Sequence, residues 1–241
     1  MENAPVTLAE ADVAKLLSYE ALIPAMRDAF IAFSADKVQQ PVRNMMTVEE
    51  GERYFGLMPA AMPGAMGAKM VSFYPSNARK GIHTHFAAIG LFDPQHGHPI
   101  AFMDGRLITE MRTAAASAAV SEVLANPESR SLALVGSGVQ ALAHLQALKT
   151  VFPIDDVRVW SRTDARAQAF AAAHGARAVP LKEAVEGVAQ ALRPLFSPGT
   201  HKRDNAGAVI TEFAAFDFGD RTYRFAEAAT FPVPDNELAL K

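Results

Sequence analysis

Residues Arg112 to Gln140 read RTAAASAAVSEVLANPESRSLALVGSGVQ, and the fold follows from how this run is divided. The first part is alanine-rich and helical, with Arg112 and Thr113 near its start. Asn126-Pro127 ends it, because the residue before a proline is pushed out of the helical region. Ser131 to Val135 is a short apolar run of buried-strand character. Gly136-Ser137-Gly138-Val139-Gln140-Ala141 follows. A strand, a Gly-x-Gly turn and a helix form the phosphate-binding opening of a dinucleotide fold. The first glycine permits the tight turn, and the second lets the backbone approach a pyrophosphate. The helix that follows directs its free N–H groups at the anion. Ala141 holds the third position of G-x-G-x-x-G, where alanine is an accepted variant.

Downstream the pattern repeats. Val157–Trp160 reads as a strand, about Asp164–His174 as a helix with Gly175 as its C-terminal cap, Arg177–Val179 as a short strand and Leu181–Glu186 as a helix. Alternating strands and helices with short links imply a parallel sheet with right-handed crossovers. The rhythm then stops. Val188 to Gly199 lacks the next buried strand, and Ala208–Phe218 and Arg221–Ala226 suggest a hairpin about Gly219-Asp220.

Upstream the chain differs. Ser18 to Lys37 is amphipathic, with Leu22, Met26, Phe30 and Phe33 at helical spacing and Ser18 as the N-cap. Pro24 predicts a kink or a later start. From Gln39, apolar runs broken by Pro41, Pro59, Pro63, Gly64 and Gly67 read as short strands. Thr84–Phe92 and Pro99–Met103 are two more, joined by the turn Asp93-Pro94-Gln95-His96-Gly97. A helix over Thr109–Ala125, capped by Thr109, completes a helix plus a largely antiparallel sheet. Its face of Ala114, Ala115, Ala118 and Ala119 has little bulk, which suits close approach of another backbone or simply reflects helix propensity. The fold class is therefore α/β: a Rossmann-like parallel sheet plus an α+β substrate and dimerisation domain. The expected boundaries are 1–125, 126–187 and a divergent tail over 188–241.

The 241 residues are half apolar, enough for a sizeable core. A net charge of −3 gives no nucleic-acid footprint. Without cysteine there is no disulfide, thiolate zinc site or thiol nucleophile. No secretory leader and no bilayer-spanning run are recognisable, so the expectation is a cytoplasmic protein.

Three cations stand where solvation does not require them. Arg43 follows Pro41-Val42 at a strand start, Lys69 lies within an apolar strand, and Arg112 lies in the first turn of a helix. Each alone is compatible with a snorkelling surface cation. Together they suggest an anion site, since a buried carboxylate needs cationic partners. His83 and His85 flank Thr84, but no third ligand accompanies them. No metal site is expected: one histidine is read as structural, Thr84 as a hydrogen-bonding group, and His96 and His98 as solvated turn residues.

The runs Phe92-Asp93-Pro94, Met103-Asp104-Gly105, Arg112-Thr113-Ala114-Ala115 and Gly136-Ser137-Gly138-Val139-Gln140-Ala141 resemble, in order and spacing, the ornithine cyclodeaminase/mu-crystallin family. The resemblance covers about Leu16 to Gly187. It implies a homodimer in which a Rossmann domain accompanies a domain whose sheet pairs with its mate. It also implies a nicotinamide cofactor and an amino acid or cyclic imino acid as substrate. By that resemblance Arg43, Lys69 and Arg112 match a substrate-carboxylate clamp and Thr84 lines the same site. Arg112, Thr113, Gly136, Ser137, Gly138, Val139 and Gln140 match cofactor-side positions. Lys69, desolvated beside two arginines, is also a candidate proton relay.

Family members carry a further βα set, a catalytic aspartate and a returning C-terminal helix where this chain has Val188–Lys241. Asp204 stands at the wrong spacing to take the aspartate's role. Three functions therefore compete: an NAD(P)-dependent ketimine or 1-pyrroline-2-carboxylate reductase, an ornithine cyclodeaminase, and a cofactor-binding homologue without turnover. The second strand of the dinucleotide unit ends in Ser161-Arg162-Thr163, with no carboxylate before Asp164. A carboxylate there would select NAD(H), whereas an arginine with hydroxyl donors suits the 2′-phosphate of NADP(H). NADP(H) is thus favoured, with NAD(H) possible.

Overall fold

The computed structural model describes residues 4–185, 215–218 and 221–224. A mixed six-stranded sheet is built from β1 (Val6–Leu8), β2 (Asn44–Glu49), β3 (Arg53–Met62), β4 (Ala65–Phe73), β5 (His85–Phe92) and β6 (Pro99–Asp104). Its order is β1-β6-β5-β4-β3-β2, antiparallel throughout except that β1 runs parallel to β6. The second sheet, β7 (Ser131–Val135), β8 (Asp156–Trp160) and β9 (Arg177–Ala178), is wholly parallel in the order β7-β8-β9. The helices are α1 (Glu10–Leu16), α2 (Tyr19–Ser34), α3 (Arg106–Leu124), α4 (Val139–Val151) and α5 (Asp164–His174), and residues 181–185 are also helical.

The strands of the first sheet are longer than the prolines suggested. β3 runs straight through Pro59. The bonds Gln39 N to Ala61 O and Ala61 N to Gln39 O show which way the odd-numbered residues of β3 point. Pro59 shares that direction, beyond the last β2 pair at Asn44 and Leu57. Its missing N–H therefore removes no ladder bond. α2 likewise continues through Pro24, with Ser18 Oγ accepting from Ala21 N at 3.3 Å. The sequence gives little sign of β1 and α1, since three- and seven-residue elements carry almost no periodicity.

α3 begins three residues before the expected cap at Thr109. Asp104 Oδ1 accepts the Arg106 N–H at 2.8 Å, and Gly105 N–H donates to Ala87 O at 2.8 Å. A Cβ on Gly105 would stand 2.9 Å from that of Ala87, so glycine is what lets the helix start against β5. Thr109 is thus inside the helix with its side chain available. Arg112 lies in the second turn, where burial and not the macrodipole disfavours its charge.

Ala114, Ala115, Ala118 and Ala119 of α3 are buried, in one cluster with Ile23 of α2 and Ala143 and Ala147 of α4. The alanine face is therefore a close-packing surface and not merely good helix propensity. A second cluster joins Leu134, Val157 and Val159 of the parallel sheet to Leu145 of α4 and Phe170 of α5. One face of the six-stranded sheet is uncovered among the described residues. Met46, Phe55, Leu57, Met70, Phe86 and Phe102 lie on it across five strands, each 40% exposed or more.

In the tail, β10 (Ala215–Phe218) and β11 (Arg221–Arg224) pair antiparallel, with Phe218 opposite Arg221. These are the expected hairpin strands in shorter form. The rest of the expected strands, the intervening Gly219-Asp220 and Glu186 lie outside the described residues.

Ala118 has no exposed surface. Ala118→Leu should overpack the α3–α4 contact and destabilise the protein by about 1–3 kcal/mol. A lowered urea midpoint for Ala118→Leu would show this, and an unchanged midpoint would mean that the alanine face is not close-packed.

Candidate functional site

Lys69 is the centre of the polar constellation on the first sheet. β4 places it between Met58 of β3 and Ile89 of β5, so its stem is flanked by apolar side chains. Its ammonium donates to Thr109 Oγ1 of α3 at 3.4 Å. Burial, then the charges of Arg112 and Arg43, bring its pKa down from 10.5 to about 8. Arg112 is lowered in turn, first by burial and then by Arg43. The three cations that the sequence singled out are therefore close enough to repel one another. Among the described residues neither Lys69 nor Arg112 has an ion-pair partner.

Arg106 shows the contrast. Its guanidinium donates to both carboxylate oxygens of Glu10, each at 2.6 Å, and to Glu110 at 3.0 Å. Those hydrogen bonds raise its pKa and fasten α1 to the start of α3. One arginine at the head of α3 is thus neutralised by the fold, whereas the arginine two turns later is left for something else.

His85 belongs to the same neighbourhood. Burial, then the charges of Lys69, Arg112 and Arg106, lower its pKa, which keeps its imidazole neutral at neutral pH. Thr84 precedes it, half-buried, with its carbonyl held by Tyr74 N–H at 2.8 Å. Reading the histidines for metal spacing passed over His85, and reading Thr109 as a cap passed over its side chain. An open depression of about 260 Å³ adjoins Lys69 and is lined by Met58, Met66, Ile89 and Leu91. No carboxylate lines it among the described residues.

The glycine loop joins β7 to α4. Gly136 has φ +123, a conformation that side chains rarely adopt, and its N–H donates to Trp160 O at 2.7 Å. Gly138 has an ordinary φ of −87, and a Cβ on it would meet nothing within 4 Å. The chain's own packing therefore does not require glycine at 138. The missing side chain leaves open space at a helix N-terminus that no side chain caps. That is the shape and polarity of a phosphate cradle. Val139 and Gln140 form the first turn of α4 and are exposed. Ser137 Oγ donates to Ser161 Oγ at 3.1 Å, so the ends of β7 and β8 meet. Arg162 and Thr163 follow on the surface.

A chain of hydrogen bonds links this loop to α3. His144 Nδ1 donates to Gln140 O at 2.7 Å, since a carbonyl can only accept. The other ring nitrogen, Nε2, lies 3.0 Å from Ser117 Oγ. Ser117 Oγ also lies 3.4 Å from Thr113 O, and Thr113 Oγ1 donates to Thr109 O at 2.6 Å. His144 and Ser117 do not stand out in the sequence, because the bond between them joins two different helices.

The model of the ornithine cyclodeaminase/mu-crystallin family matches residues 3–192. This chain belongs to that family. It is 38% identical over 177 residues to the ketimine reductase mu-crystallin of Mus musculus, a match covering 71% of this chain and 56% of the mouse protein. Among solved structures, Thermococcus litoralis Δ1-pyrroline-2-carboxylate reductase in complex with NADH and L-proline is 33% identical with a TM-score of 0.70. It matches over 75% of this chain and 59% of its own. An archaeal alanine dehydrogenase dimer with bound NAD is 30% identical, also at 0.70, over 75% of this chain and 57% of its own. The chain thus spans little more than half the length of the relatives it matches. The fold is the Rossmann-like α/β architecture of those structures, as the glycine motif and the alternation after it implied.

The lowered pKa of Lys69 has a stability consequence. Below about pH 8 the folded and unfolded states both hold the proton, and the full cost of the buried charge is present. Between about 8 and 10.5 the unfolded chain binds the extra proton, so this cost fades as pH rises. Lys69 is partly exposed, so solvent screening leaves less than the full value of that shift, and Lys69→Met should stabilise the protein at neutral pH by about 1–2 kcal/mol. Thermal unfolding of both proteins from pH 7 to 10.5 should show the gap closing, and a pH-independent gap would contradict the assignment.

Proposed function

We propose that the protein is an NAD(P)H-dependent reductase of cyclic imino acids, of the ketimine or 1-pyrroline-2-carboxylate type. The observation that carries this is the pair of cations Lys69 and Arg112, without an ion-pair partner among the described residues and repelled by the charge of Arg43, beside an apolar depression. A carboxylate placed there relieves the mutual repulsion, and a small apolar ring fills the depression without needing a polar partner. Ornithine carries a second ammonium, for which the described residues of the depression offer no carboxylate.

In this reading Arg43, Lys69 and Arg112 hold the substrate carboxylate, and Thr84 hydrogen-bonds within the same site. Gly136, Ser137, Gly138, Val139 and Gln140 cradle the pyrophosphate, with Arg112 and Thr113 on the cofactor side. The nicotinamide, when bound, supplies the hydride. The clamp fixes the imine carbon for that transfer and so contributes proximity. Lys69, with a pKa of about 8, can give its proton to the imine nitrogen and recover one from solvent. Neutral His85 lines the site without adding a charge that would compete for the carboxylate. Residues 1–125 would carry the substrate and a second copy, and residues 126–187 the cofactor.

Cofactor choice falls to Ser161, Arg162 and Thr163 at the end of β8. The guanidinium and two hydroxyls suit a 2′-phosphate, which favours NADP(H) over NAD(H) by roughly 1–3 kcal/mol. Purified protein should consume NADPH when given 1-pyrroline-2-carboxylate and should not release ammonia from ornithine with NAD. Arg162→Ala should raise the KM for NADPH at least about tenfold and leave that for NADH unchanged. Ammonia release without imine reduction would overturn the reductase reading. Equal wild-type KM values for both cofactors would overturn the preference.

The same reading includes a homodimer. The exposed Met46, Phe55, Leu57, Met70, Phe86 and Phe102 support a sheet face as its interface. Light scattering should give a dimer for the wild type and a monomer for Met70→Lys. A Met70→Lys dimer would place the interface elsewhere.

A further inference from the structure

The β5–β6 turn holds a second polar constellation that the reductase reading does not use. It runs Asp93-Pro94-Gln95-His96-Gly97-His98. We propose that Asp93, His96 and His98 form a binding site for a divalent transition metal of the zinc type. The Asp93 carboxylate and the ligating nitrogens of the two histidines all lie within 4.8 Å of one another.

The backbone holds these three side chains on one small patch. Asp93 N–H donates to His98 O and Gly97 N–H donates to Asp93 O, each at 2.9 Å. Gly97 has φ +78, and this left-handed step turns His98 back towards Asp93. Asp93 Oδ1 accepts from the backbone N–H of Gln95 at 3.0 Å and of His96 at 2.6 Å. Those contacts orient the carboxylate and leave Oδ2 without a hydrogen bond among the described residues. His96 Nδ1 lies 3.0 Å from Oδ1, and the His96 and His98 ring centroids are 6.3 Å apart.

A tetrahedral ion about 2.0–2.1 Å from each ligand atom brings those atoms to roughly 3.3 Å from one another. The atoms already lie within 4.8 Å, and His96 and His98 are exposed, so their side chains have room to rotate towards that spacing. One carboxylate and two imidazoles suit Zn²⁺, Co²⁺, Ni²⁺ or Cu²⁺, whereas Mg²⁺ and Ca²⁺ prefer all-oxygen sets. Three protein ligands leave the fourth position to water, so the site is open. It shares no residue with the cation group around Lys69.

The test uses the full chain without a histidine tag. Calorimetric titration with ZnCl₂ should show one ion per chain at micromolar Kd, and CoCl₂ should give the visible absorption of a tetrahedral ion. His96→Ala and His98→Ala should each weaken binding at least about tenfold. Asp93→Asn keeps the turn acceptor and removes the charge, and should weaken binding with an unchanged circular dichroism spectrum. Absence of Zn²⁺ binding by the wild type would overturn the proposal. So would undiminished binding by the His96→Ala/His98→Ala double variant, which would place the ion on other residues.

Discussion

The contact between α3 and α4 is the constraint on which the rest of the structure depends. Alanines face alanines there, so the two helix backbones approach closely. α3 also lies against β5 at Gly105 and bears Thr109, Arg112 and Thr113, while α4 begins at the glycine loop. The separation of the two candidate subsites is therefore set by a packing distance, which a single added methylene disturbs. The hydrogen bonds through Ser117 and His144 join the same two helices.

Electrostatics then separates paired charge from charge without an ion-pair partner among the described residues. Arg106 and Asp156 are satisfied inside the protein, the first by Glu10 and Glu110 and the second by Arg158 and Arg177. Lys69 and Arg112 are held partly out of water beside like charge, which lowers both pKa values. An arrangement that the fold leaves unfavourable by itself becomes favourable when an anion enters. The depression beside Lys69 gives that anion an apolar companion surface.

Much of this was legible in the sequence, and the limits have physical causes. The glycine loop, the alternating βα units and the alanine face follow local rules, and the structure reproduces them nearly residue for residue. Arg43, Lys69 and Arg112 stood out because each broke a local rule. Thr109 was misread because a threonine before a glutamate imitates a helix cap, whereas the true start depends on how closely Gly105 meets Ala87. Pro59 was misread as a strand breaker because only tertiary pairing reveals which way its missing donor points. His85 and His144 acquire meaning from neighbours far along the chain, and spacing within one element cannot supply that.

Lys69 sits partly desolvated beside Arg112 and Arg43, and we propose that a substrate carboxylate neutralises this group. The most direct measurement is the pKa of its Nζ, read by NMR from the ¹³Cε shift of labelled lysine, with Lys69→Met giving the assignment. The free protein should titrate at about 8, well below the ordinary 10.5. Saturation with NADP⁺ and pyrrole-2-carboxylate should raise that value, because a paired ammonium holds its proton more tightly. A free-protein value at 10.5, or one that the carboxylate leaves unmoved, would contradict the account.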